Sequence, residues 1–129
     1  MNFPPTQGFG LTGLPVTETG VVHRFRTPVR KVVLINYGDA DVYVGINAII
    51  AEAATDNGNS ASEAGWMHDR RLEALTAAEA IAKGVLLPAD ERIELEACDV
   101  MPGGGNIYGI WAITAAGEAT TVQGGATSY

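Results

Sequence analysis

Between Val29 and Asn47 the chain reads VRKVVLINYGDADVYVGIN, two runs of β-branched and aromatic residues around a Gly-Asp-Ala-Asp break. Side chains branched at Cβ crowd the preceding turn of a helix but pack well on a pleated surface. Period-two alternation with Gly and Asp between the runs predicts two antiparallel strands joined by a hairpin. Asp39 and Asp41 belong to that break, where short carboxylates accept backbone N–H bonds and tolerate tight-turn dihedrals. They read as residues that bend the chain. A calcium loop would need six to eight oxygens, and no further side-chain ligand falls in register.

The same pattern recurs. In VVHRFRT, Val21, His23 and Phe25 alternate with Val22, Arg24 and Arg26, and Pro28 interrupts. GVLLPADERIELEA reads as strand, Pro-Ala-Asp turn and strand, with Ile93 and Leu95 inward and the charges outward. NIYGIWAIT, AAGE and ATTVQ read as a last hairpin. Strands at about ten-residue spacing with turn signals between them suggest a sandwich or a barrel, and the fold expected is all-β, an antiparallel β-sandwich of jelly-roll-like form. The 129 residues fit one domain able to bury roughly two thirds of its unfolded surface.

Two stretches break the pattern. Residues 1–19 hold three prolines, three glycines and no period, and read as an extended N-terminal arm ahead of a body at 20–129. Phe3, Phe9 and Leu11 are too apolar for a solvated tail, so the arm is expected to dock on its own body or on a neighbour. Residues 47–83 are rich in Ala and Glu around a polar DNGNSAS stretch. Asp69 to Lys83 could form a helix, with Asp69 as N-cap and Gly84 as stop. The favoured reading is instead a long loop crossing between sheets, with room for a short helix. A connection of this length is a natural place for partner contacts, and Trp66 with Met67 supplies an apolar anchor.

The chemistry-bearing residues are sparse. There are two histidines: His23 on a predicted strand and His68 in the connection. Neither a His-x-His metal pair nor a Gly-x-Ser-x-Gly elbow is present. Cys98 reads as a small buried hydrophobe whose neighbour Asp99 would raise its pKa. DNGNSASE departs from the calcium-loop spacing, and PGGGN has Tyr108 where a dinucleotide fingerprint needs its third glycine. Glu91, Glu94 and Glu96 fall on or near one strand, where solvated carboxylates make poor acid catalysts. No catalytic, cofactor-binding or metal-binding residue is expected.

The formal charge of −7 argues against nucleic-acid binding, and no apolar run approaches the ~20 residues of a membrane span. Residues 1–36 carry four basic side chains against one acidic, and the remainder four against fourteen. Arg24, Arg26, Arg30 and Lys31 therefore form a basic segment suited to an acidic partner surface or to another copy of the chain. The N-terminus lacks the basic and apolar regions of a secretory signal, and one cysteine forms no internal disulfide, so a cytoplasmic origin is expected.

KVVLINYGDADVYVGINA, GVLLPADERIELE and IYGIWAITAAGEATTVQ together resemble small β-sandwich structural proteins of tailed bacteriophages, the capsid decoration or cement proteins and their head-fibre and tail relatives. The resemblance covers roughly residues 20–123 and rests on hydrophobic pattern and turn placement. It implies a virion protein without catalysis on the outside of an assembled shell. The partner would be the major capsid protein, and the protein a dimer or trimer. On that reading Phe3, Phe9, Leu11, Arg24, Arg26, Arg30, Lys31, Trp66 and Met67 are the contact residues. The alternatives are a tail, neck or head-fibre component, or a carbohydrate-binding module stacking sugars on Tyr37, Tyr43, Tyr108 and Trp111.

Overall fold

The structure is a computed structural model, and it describes residues 6–8, 13–57, 73–96 and 106–127. Among these, the strands are β1 (Thr6–Gly8), β2 (Leu14–Val16), β3 (Val21–Val29), β4 (Lys31–Asn36), β5 (Val42–Ile46) and β6 (Ala48–Ile50). They continue with β7 (Thr55–Asn57), β8 (Glu73–Leu75), the helix α1 (Ala77–Lys83), β9 (Val85–Leu87), β10 (Arg92–Glu96), β11 (Ile107–Ile113) and β12 (Thr120–Thr127). The all-β expectation holds.

Two five-stranded sheets carry the fold. The first runs β1-β12-β4-β10, with β2 also pairing β12; the second runs β7-β3-β11-β5-β9. Pairing is antiparallel within both except for the edge pair β3–β7. A separate parallel pair joins β6 to β8.

The short turns do not make hairpins. β4 belongs to the first sheet and β5 to the second; the same change of sheet occurs from β3 to β4, β9 to β10 and β11 to β12. Each segment read as a hairpin turn is instead a corner between sheets. Turn residues and period-two alternation are the same in both cases, because they report the local bend and the buried face, not which strand lies alongside. The step from β5 to β9 stays in the second sheet, and that step contains the long connection.

Apolar side chains from the two sheets meet in one core: Leu14, Val32, Leu34, Val122 and Ala126 from the first, Phe25, Val29, Val42, Val44, Ile107 and Ile110 from the second. A second core lies on the far face of the second sheet. There Val22, Trp111 and Ile113 pack against Ala48, Ile50, Leu75 and Ala80. The connection read as a crossing loop thus holds three short strands and a helix, and α1 with β6 and β8 forms an outer layer. The helix begins later than an Asp69 N-cap would place it. Thr76 is the N-cap: its hydroxyl accepts from the Glu79 N–H at 3.1 Å, and the Glu79 carboxylate accepts from the Thr76 N–H at 3.0 Å. This Thr-x-x-Glu capping box was a legible signal that the Asp69 reading passed over.

The segment read as an arm is partly built into the body. β2 closes on β12, and Leu14 and Val16 are buried in the core between the sheets.

Candidate functional site

The corner at residues 36–41 is organised by Asn36, which is fully buried. Its side-chain amide donates to the carbonyls of Ala40 (2.8 Å) and Leu87 (3.1 Å). Its Oδ1 accepts from the Gly38 N–H (3.1 Å) and the Thr120 hydroxyl (2.6 Å). One side chain therefore ties β4, its own turn, β9 and β12, and every polar atom on it has a partner, as burial requires. Asp41 accepts from the Ala89 N–H at 3.2 Å, which joins this corner to the Pro-Ala-Asp corner. Asp39 lies in the bend and Asp41 ties it to the neighbouring corner.

Asn47 does the corresponding work where β5 leaves the sheet. Its positive φ of 56° turns the chain into β6, a conformation Asn tolerates better than most residues. Its amide donates to the Asn106 carbonyl (2.9 Å), and its Oδ1 accepts from the Tyr108 N–H (2.7 Å). The pairing of β11 with β3 shifts register beside it, between Ile107 and Gly109.

A cleft of about 490 Å³ opens between the free ends of the sheets. Ile46, Leu75, Val85, Leu95 and Trp111 line its floor, and Glu73, Lys83, Glu94 and Glu96 its rim. The indole of Trp111 lies over Gly45 and reaches Gly84, so a Cβ at either glycine would collide with the ring. That contact explains the Val-Tyr-Val-Gly ending of β5 and the Gly that follows α1. Three of the rim charges are paired: Lys83 with Glu73 at 2.9 Å, and Glu94 with Lys31 at 3.2 Å and Arg92 at 2.7 Å. The hydrogen bond and charge of Lys31, with Arg92 adding to them, hold the Glu94 carboxyl below its ordinary range. A general acid needs the opposite shift.

His23 lies away from this cleft. It shares the inner face of β3 with Val21 and Phe25, meets the Phe25 ring edge-on at 5.1 Å, and is pushed down to a pKa of about 4 by burial. At neutral pH it is an uncharged core residue. No group of three or more His, Cys, Asp or Glu suited to a metal occurs among the described residues.

The expected contact residues that are described do not share one face. By strand parity Arg24 shares the outer face of the second sheet with Val22, whereas Lys31 stands on the outer face of the first beside Glu94. Arg30 is exposed at the bend between β3 and β4. Arg26 lies within β3, but its side chain is outside the described set, as are Phe3, Phe9, Leu11, Trp66, Met67, His68 and Cys98. The proposed sugar platforms fare worse. Tyr108 and Trp111 are buried, Tyr43 packs against the second core, and Tyr37 alone is well exposed, at 56%. Sequence reasoning missed Asn36 and Asn47, although each is an Asn closing an apolar run.

Comparison of the chain with protein-family models, with curated proteins and with solved structures finds no match in any of the three. No helix among the described residues is long and apolar enough to cross a membrane.

Proposed function

We propose that this chain is a non-enzymatic virion structural protein, a decoration or cement protein that reinforces a bacteriophage capsid by surface contacts with the major capsid protein. The observation that supports it most is the strand order. With β1 and the three short strands of the connection set aside, eight strands remain. Numbered in chain order, they run first-eighth-third-sixth in one sheet and second-seventh-fourth-fifth in the other. That is the order of two interlocked Greek keys, so the fold is inferred to be a jelly-roll-like sandwich, an architecture used by viral capsid and lectin domains. Fold alone does not fix function. The second support is the contrast between the two outer faces: one is covered by α1, β6 and β8, whereas the other carries half-buried Val33 and Ile35 open to contact.

On this reading the shell contact is made by the outer face of the first sheet, with Arg30 and Lys31 at one end. The test is binding of the purified protein to expanded shells. Binding that saturates at a fixed ratio of copies to shell subunits is expected, and absence of binding at micromolar concentration would overturn the reading. A tail, neck or head-fibre component would share the same body, and the position of the protein in micrographs of particles distinguishes these sites.

A further inference from the structure

β10 is the longest edge strand among those described: five residues, against three for β1, β2, β7 and β9. Edges of this kind are usually blunted by proline, a bulge or an inward-pointing charge. β10 has no proline, and its inner face carries Ile93 and Leu95, which pack against the core yet stay partly exposed. Beside it, Val85 and Leu86 of the adjoining edge strand β9 are about half exposed, at 49% and 48%. Val85 and Leu95 line the same cleft. Both sheets therefore end in unfinished apolar edges on one side of the molecule.

The backbone fixes which groups are open. The Glu91 carbonyl accepts from the Asn36 N–H, so it points toward β4. Because N–H and C=O alternate sides along a strand, Ile93 and Leu95 also bond β4, while Arg92, Glu94 and Glu96 direct theirs outward. An antiparallel copy of β10 centred on Glu94 would oppose Arg92 to Glu96, Glu94 to Glu94, and Ile93 to Leu95. Each outward-pointing residue would then face another, giving roughly six main-chain hydrogen bonds. The charges fit the same register: Arg92 meets Glu96 twice, and each central Glu94 already has Lys31 and Arg92 within bonding distance.

We infer that the protein forms a two-fold dimer by antiparallel β10–β10 pairing about Glu94, joining the first sheets of two copies into one continuous sheet and closing the edge that carries Ile93 and Leu95. A two-fold contact of this type is self-complementary, so each contact is made twice and assembly closes at two copies. The inference stands independently of what the protein decorates.

Sedimentation velocity of the full chain across the micromolar range tests it. The wild type is expected to be a dimer. Arg92→Glu alone, or Glu96→Arg alone, places like charges opposite one another at two symmetric positions and should weaken association about tenfold or more. The double variant R92E/E96R should restore it, which a contact elsewhere on the surface would not produce. Glu94→Pro removes an outward N–H without touching the β4 ladder and should give a folded monomer, with folding checked by circular dichroism. A wild type that stays monomeric or forms a trimer overturns the inference, as does a double variant no tighter than the single ones. Should Glu94→Pro fail to fold, the charge exchange decides alone.

Discussion

The inner strands β4 and β11 have opposite fates. All seven residues of β11 are buried, whereas β4 alternates strictly between buried and half-buried. The difference does not lie in the strands' own pairing, since each is flanked on both sides. It lies in the connection between β5 and β9, which folds back over one sheet, whereas no described element covers the other. Outward-facing Trp111 and Ile113 become core residues, and outward-facing Val33 and Ile35 stay at the surface. A strand buried on both faces reads as a continuous apolar run, and a strand buried on one face reads as an alternation.

The most severe way to break this contrast is at Trp111. Only 3% of its surface is exposed, and it bridges β11, Gly45 and the end of the helix. Trp111→Ala should cost about 3–5 kcal/mol, because the vacated space cannot collapse around the rigid backbone of β5. Urea unfolding measures it. A loss of about 0.5 kcal/mol or less, the range of ordinary surface changes, would mean that the outer layer bears little weight.

A second prediction separates the inner core from the outer one. His23 lies between the two sheets, and its folded pKa of about 4 is below the ordinary 6.5. The unfolded chain therefore binds the proton first. Stability from the neutral imidazole is complete above pH 6.5 and is lost as pH falls toward 4, by on the order of 2–3 kcal/mol. His23→Leu should remove that portion of the acid sensitivity while leaving the neutral-pH fold intact. Melting temperature recorded from pH 7 to about 4 gives the readout. An unchanged slope in the variant would show that the imidazole is not the titrating group.

How much of this was legible follows from the range of each signal. Local signals were sound: the strands, the outward Glu94 and Glu96, the Gly84 stop and the turn-forming Asp pair all emerge from short windows of chain. Pairing partners were not legible, because Gly38–Asp41 would serve a hairpin or a corner equally well. What decides between them is Asn36 reaching Leu87 and Thr120, residues 51 and 84 positions away. The connection was misread for a related reason. Its strands are three residues long and pair in parallel across distant sequence, so periodicity has too few positions in which to appear. Among the described residues, the basic segment is divided between faces because consecutive strands belong to different sheets. Arg24 and Lys31 are neighbours in sequence and stand on opposite outer faces.

The smallest expected effect is the most informative control on the bare face. Val33 and Ile35 look outward from the centre of the first sheet, opposite Glu94 and Arg92 on one side and Gly125 and Gln123 on the other. The double substitution Val33→Thr and Ile35→Thr keeps branching at Cβ, so strand geometry is undisturbed and the change in stability should stay within about 0.5 kcal/mol per site. Urea midpoints tell whether it does. A loss approaching that of Trp111→Ala would mean that this face is covered after all. If stability is kept, the same variant becomes a clean probe of the shell contact. Two added hydroxyls leave the monomer unchanged but must be desolvated in any apolar interface, so binding to expanded shells should weaken while folding does not.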